Sequence, residues 1–104
     1  MELGTAEEVI GFASDFFNSE IKPFFESGAE IGKMRENFSA FYLILKSNAS
    51  KIGYYHYGPS LLAVSEGIHN YYTSGSCVST RNQFRMLEML LNQTKMAVQT
   101  GNRK

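Results

Sequence analysis

Residues 37–53 carry an apolar repeat that an α-helix gathers onto one side of the chain. At about 100° per residue, a set of large and small apolar side chains falls on a single helix face. Its members are Phe38, Phe41, Tyr42, Leu45, Ala49 and Ile52. We therefore predict one amphipathic helix that begins near Lys33, ends near Gly53 and buries this face.

The opposite face of the predicted helix consists of small, nearly uncharged side chains. Its members are Ser39, Ala40, Leu43, Ser47 and Ser50, with Lys46 beside them. A helix face that only has to meet water usually carries Glu, Lys and Gln instead. Small residues let a second surface approach closely, and Leu43 offers that surface one large apolar group to bury. The pattern leaves open the other interpretation, that Leu43 is one of the scattered apolar residues found on every protein surface.

The segment from Leu43 to Gly53 resembles the signature of histidine-containing phosphotransfer domains. That signature is His-x-Leu-Lys-Gly, followed by small residues and a second, distal glycine. Leu45, Lys46 and Gly53 match it, and Ser47 replaces its first glycine. Leu43 stands where the family has the phosphorylated histidine.

The resemblance extends to the helix pattern over roughly residues 6–98 and implies both a fold and a partner class. The fold is all-α, an antiparallel up-and-down four-helix bundle with the site on the outer face of the second main helix. The partner is a response-regulator receiver domain or a histidine kinase. Because leucine has no nucleophilic atom, Leu43 cannot carry phosphate, and the implied role is a non-catalytic binding module. The predicted partner-binding residues are Ser39, Ala40, Leu43, Lys46, Ser47 and Ser50.

Lys46 has two interpretations. In the similar family a lysine at this position steadies the phosphoryl group, and here Lys46 can still meet an acidic pocket on the partner. A solvated surface lysine is the commoner role for such a residue.

The first helix has a clear beginning and a clear interruption. Thr5-Ala-Glu-Glu8 is a capping box, in which the threonine hydroxyl accepts from a backbone N–H three residues on and the glutamate reaches back. Pro23 removes a backbone donor, so the helix should kink or restart near Ile21. Ser27-Gly28 should end it.

Two further helices follow the central one. Gly58-Pro59 marks a break, after which Pro59 or Ser60 opens a third helix. Residues 73–79 form a loop by composition, and Ser79 or Thr80 caps the last helix. Four helical segments with short connections favour the same up-and-down bundle that the resemblance implies.

Composition narrows the remaining classes. A chain of 104 residues is expected to form a single domain over residues 1–104. Ten basic and ten acidic residues cancel, which is not the pattern of a nucleic-acid binder. No run of apolar residues is long enough to cross a membrane and the N-terminus lacks the regions of a signal peptide. The one cysteine, Cys77, cannot form an internal disulfide or a cysteine-based metal site, so a reducing, cytoplasmic setting is expected.

Neither histidine is a strong catalytic or metal-binding candidate. His56 and His69 both lack the neighbouring Leu-Lys pair, and two isolated histidines are a weak metal signal. We therefore predict no catalytic residue, no metal and no cofactor. Two alternatives stay open: an active phosphotransfer protein that uses an unusual histidine, and a helical bundle outside phosphorelays, such as an immunity protein or a self-associating module. The partner's identity and the oligomeric state are also open.

Two groups of residues, of types that are common at binding surfaces, have a simpler structural interpretation. Tyrosines 54, 55, 57, 71 and 72 are expected to seal one end of the bundle with their hydroxyls in water. The methionines of the last helix are expected to fill the core rather than to line a binding groove; they are Met86, Met89 and Met96.

Overall fold

A computed structural model describes residues 4–75 and 80–101 of the chain. These residues form helices joined by turns, with no β-strand among them. The helices, in chain order, are α1 Ala6–Phe16, a π-helical turn Phe17–Ile21, α2 Lys22–Glu26, α3 Ile31–Ser47, α4 Ala49–Ile52, α5 Gly58–Ser74 and α6 Thr80–Thr100. The all-helical fold class expected from the sequence is confirmed for the described residues.

The predicted capping box opens α1. The backbone N–H of Glu8 donates to the Thr5 hydroxyl at 3.1 Å. The same hydroxyl donates to the Glu8 carboxylate at 3.3 Å, so the glutamate does reach back toward the cap. These bonds satisfy an N–H that has no partner inside the helix, which explains why α1 begins here.

The helix interruption near Pro23 is also confirmed. The π-helical turn ends at Ile21, whose φ of −116° departs from helical values, and α2 then restarts with Pro23 in its first turn. The Asn37 side chain of α3 donates to the Glu20 carbonyl inside this turn at 2.6 Å, which ties α3 to the irregular segment. Gly28, at a φ of 74°, follows α2 in the left-handed conformation that glycine tolerates.

The core is built around aromatic rings. Phe38 of α3 lies at its centre, with ring centroids 5.3 Å from Phe41, 6.1 Å from Tyr72 and 5.9 Å from Phe84. Phe17 adds a ring 6.1 Å from Phe41. The helices α3 and α6 each pack against both α1 and α5, so these rings from four parts of the chain meet in one interior.

The predicted central helix is interrupted, contrary to the sequence interpretation. It begins at Ile31 and ends at Ser47, and α4 resumes only after Asn48. Asn48 is fully buried, and its side-chain amide donates to the Ile44 carbonyl at 2.7 Å. An asparagine that bonds the preceding turn in this way competes with the helical hydrogen bonds, which accounts for the break.

The turn before α5 brings two backbone segments into contact. Tyr57 has a φ of 71° in the left-handed region, and Gly58 begins α5 in a buried position. A Cβ atom built on Gly58 would overlap the carbonyl oxygen of Ile52. Only glycine therefore fits where the end of α4 meets the start of α5.

The prediction for the methionines of the last helix is wrong. Met86, Met89 and Met96 are 44%, 50% and 65% exposed. The inward face of α6 is the stripe that the helical repeat of this segment predicts, and its burial is confirmed: Phe84, Leu87, Leu90, Leu91, Thr94 and Val98. The expected cap at Ser79, the single Cys77 and most of the 73–79 loop lie outside the described residues, although α5 itself continues to Ser74.

The tyrosines do not form one group at one end of the molecule. Tyr54, Tyr55 and Tyr57 precede α5, whereas Tyr71 and Tyr72 lie in its last turns. At about 1.5 Å per residue the two groups are roughly 20 Å apart along the helix. Tyr54 is 69% exposed and Tyr72 only 6%, so the expectation of a single sealed end with wet hydroxyls is wrong for this set.

The buried position of Tyr72 gives a testable pH dependence. Burial, followed by the influence of Tyr71, raises the pKa of Tyr72 from 10.0 to about 12. Below pH 10 the ionisation of Tyr72 therefore does not affect the free energy of unfolding. As the pH rises from 10 toward 12, this free energy falls, because the unfolded chain releases the tyrosine proton first. In urea titrations across this range, the wild-type protein should lose stability relative to Tyr72→Phe.

A control separates this effect from general alkaline unfolding. Tyr54→Phe removes a hydroxyl from an exposed ring and should follow the wild-type profile. If the profiles of wild type and Tyr72→Phe stay parallel up to pH 12, Tyr72 does not keep its proton in the folded protein.

Candidate functional site: the outer face of α3

The residues that α3 buries determine which of its other side chains face solvent. Phe38, Phe41 and Leu45 have no exposed surface, as the helical stripe predicts. Leu43 points to the opposite side of the same helix and is 57% exposed. The helical register expected from the sequence is therefore confirmed, and Leu43 is a surface residue.

The side chains around Leu43 are small. Ala40, one turn before it, and Ser47, one turn after it, are both exposed, and Ser39 is half-buried. Ser50 is exposed as well, but it lies on α4 beyond the break at Asn48. We call these five residues, together with Lys46, the Leu43 face. Apart from Lys46, whose ammonium group lies near Tyr42, the other side chains of this face are short and leave Leu43 57% exposed.

Glu36 is an acidic member of this surface that the sequence analysis missed. It is exposed and lies seven residues before Leu43, which is two helical turns along the same face of α3. Lys46 lies one helical turn after Leu43. Glu36 and Lys46 therefore place a negative and a positive charge on opposite sides of the apolar Leu43. The spacing of seven could have identified Glu36 from the sequence alone.

Lys46 is positioned by an aromatic ring on its own helix. Its ammonium nitrogen lies 5.8 Å from the centroid of Tyr42, within the range of a cation–π contact. Tyr42 in turn is half-buried on the side of α3 that faces α5. The charge of Lys46 is thus directed toward the α5 edge of the Leu43 face rather than toward its centre.

An apolar groove of about 350 Å³ adjoins the Leu43 face at this edge. It lies between α3 and α5, and Lys46 and Glu66 contribute its two charged groups. The α5 residues that line it with apolar surface are Pro59, Leu62 and Ala63. None of these was identified by sequence reasoning, because they come from a different helix and only its packing against α3 brings them here.

The two histidines lie apart from the exposed leucine. His69 on α5 stacks on the Tyr42 ring at 4.6 Å, and its Nδ1 is buried without a hydrogen-bond partner among the described residues. His56 is exposed in the turn before α5, with its ring 4.1 Å from that of Tyr57. A phosphate acceptor needs an accessible ring nitrogen, so the buried Nδ1 of His69 is not suited to that role.

Metal-ligating side chains do not gather in the described part of the chain. Within residues 4–75 and 80–101, no three or more His, Cys, Asp or Glu side chains lie close enough together to hold a metal ion. In the same described part of the chain, no helix combines the length and the apolar character needed to cross a membrane.

Comparisons of the chain with protein-family models, with curated proteins and with solved structures find no match.

Proposed function

We propose that this chain is a non-catalytic pseudo-phosphotransfer module that binds a receiver domain or a histidine kinase of a two-component signalling system. The observation that carries the proposal is the exposed Leu43, framed by small side chains, at the position where the similar family has its phosphorylated histidine. A large apolar group framed by small residues is typical of a surface that is covered by a partner. The module would act in the cytoplasm as a competitor, adaptor or inhibitor.

The proposed architecture behind this function is an antiparallel four-helix bundle. Its four sides would be α1 with the π-helical turn and α2, then α3, α5 and α6. Two observations support it. The helices α3 and α6 each pack against both α1 and α5, and the segments between the main helices contain few residues, which favours antiparallel neighbours.

The chemistry of the position supports binding without transfer. A phosphotransfer histidine attacks an aspartyl phosphate with a ring nitrogen, and Leu43 has no lone pair to do so. Lys46 remains available to an acidic pocket on the partner, since its side chain is exposed. Such a rim charge would contribute more to the rate of association and its salt dependence than to affinity.

The Leu43 face is tested by placing a charge on it. A panel of purified receiver domains from the same organism is first screened for one that binds the wild-type chain. Leu43→Asp should weaken binding to that receiver by about 30-fold or more, since a central apolar anchor contributes about 2 kcal/mol. Ser47→Glu should weaken binding more than Ser47→Ala, because the new carboxylate would face the receiver's acidic pocket. Isothermal titration calorimetry measures both effects.

Met89→Asp is the matched control for this experiment. Met89 is a similarly exposed apolar side chain, but it lies on α6, so its replacement should leave receiver affinity unchanged. The proposal fails if Leu43→Asp and Ser47→Glu bind like wild type while Met89→Asp does not. Acid-labile phosphate on the chain after incubation with a phosphorylated receiver, lost in a His56 or His69 variant, would instead support the active phosphotransfer alternative.

A further inference from the structure

A second concave surface lies between α2 and the beginning of α6, and no residue of the Leu43 face lines it. Its volume is about 510 Å³. Its floor is aromatic: Phe17 and Phe84 are buried, and Phe25 is half-buried at the surface. The rings of Phe25 and Phe84 lie 4.1 Å apart at an angle of 31°, so Phe25 packs against the buried Phe84 and is the ring of the floor that reaches the surface.

The rim of this groove is charged, and its charges do not cancel. Lys22 and Glu88 form an ion pair at 2.6 Å across the groove, and that pair raises the pKa of Lys22. Arg81 and Arg85 are exposed one helical turn apart on α6, and neither lies within ion-pair distance of a carboxylate among the described residues. Among the described lining residues, Glu26 supplies the one further charge. Counted over these residues, the groove holds an excess of one positive charge.

We propose that this groove is a binding site for a small aromatic carboxylate. The ring system would lie on Phe25, which Phe84 supports from the core side, and the carboxylate would face Arg81 and Arg85. The site is independent of the Leu43 face, since no residue of that face lines the groove.

The volume, the floor and the rim of the groove each restrict the kind of ligand that it can bind. A volume of about 510 Å³ lies within the range of small-molecule sites. The paired phenylalanines favour a planar apolar body that stacks or packs edge to face. Two guanidinium groups that carry no intramolecular ion pair can donate parallel hydrogen bonds to a carboxylate, a geometry that a single ammonium group does not provide. A free inorganic anion would use the arginines but would leave the aromatic floor uncovered.

The probe for this site is 2-naphthoate, with 2-naphthamide as its neutral counterpart. Titration of the full chain, followed by ¹H–¹⁵N correlation spectra, should show saturable shifts of the Phe25 and Phe84 amides. A ligand of this size is expected to bind with a Kd on the order of 1 mM or tighter. The amide should bind about tenfold more weakly, because it lacks the charge that the arginines recognise.

Variants of the rim arginines, compared with a control variant elsewhere on α6, test whether the rim binds naphthoate. The double variant Arg81→Gln/Arg85→Gln should lose about tenfold in naphthoate affinity, whereas Lys95→Gln, which removes one positive charge farther along α6, should bind like wild type. Phe25→Leu keeps an apolar side chain but removes the ring, and it should also weaken binding. Unchanged far-UV circular dichroism of each variant shows that it is folded.

Three results would overturn the proposal. They are equal affinity for naphthoate and naphthamide, equal losses in the Arg81/Arg85 and Lys95 variants, and shifts that do not map to Phe25 and Phe84. Leu43→Asp should retain naphthoate binding whatever its effect on a receiver domain, so this test and the test of the proposed function can fail separately.

Discussion

Gly58→Ala is expected to destabilise the protein by about 3 kcal/mol or more, at the upper end of overpacking effects. Gly58 is buried, and its added methyl group would overlap the carbonyl oxygen of Ile52. That oxygen belongs to the backbone, so it cannot rotate away as a side chain would. To relieve the overlap, the turn between α4 and α5 would have to open. Urea unfolding monitored by circular dichroism measures the loss.

Gly67→Ala is the matched control for this substitution. Gly67 lies inside α5, and apart from its chain neighbours and the nearby backbone of its own helix, no atom of the described residues lies within 4 Å of the position where its Cβ would be. Alanine there should stabilise the helix by about 0.5–1 kcal/mol, because glycine in a helix interior loses more conformational freedom on folding. The same methyl group should therefore have opposite effects at two positions of one helix. If both variants unfold at the same urea concentration, the close approach of Gly58 and Ile52 does not exist in the folded protein.

Leu45→Ala is expected to lower the free energy of unfolding by about 2–5 kcal/mol, whereas Leu43→Ala should change it by no more than about 0.5 kcal/mol. The two leucines are two residues apart on α3, but Leu45 has no exposed surface and Leu43 is 57% exposed. Truncation of Leu45 removes apolar burial and leaves a cavity beside the aromatic core. Truncation of Leu43 removes atoms that already contact water in the isolated chain.

This pair of variants tests the register on which the proposed function depends. Equal loss of stability in both would place Leu43 in the core and remove the basis for a docking face. A stable Leu43→Ala protein, by contrast, allows any loss of receiver binding to be attributed to the surface. Thermal unfolding of the two variants side by side is sufficient to decide between these outcomes.

Several features of this protein were predictable from the sequence because they depend on residues close together in the chain. The capping box at Thr5, the restart of the helix after Ile21 and the exposed position of Leu43 follow from backbone geometry and from the helical repeat. The residues involved lie within a few turns of one another, so the period of the helix alone places them on the correct face. The missed Glu36 belongs to the same class.

The features that were predicted wrongly, or not at all, depend on how distant segments pack. The three methionines of α6 were expected to fill the core beside its apolar stripe, and only the contacts of α6 with α1 and α5 determine how wide a face is buried. The break at Asn48 was also missed: its side-chain amide bonds the Ile44 carbonyl in a position that the packing of the helices buries completely.

Both concave surfaces also required the tertiary structure. Leu62 reaches the Leu43 face from another helix, and the ion pair between Lys22 and Glu88 joins residues separated by 66 positions in the chain. Spacing along one helix determines which side chains share a face, but the packing of helices against each other determines which faces meet, and both grooves lie where two helices meet.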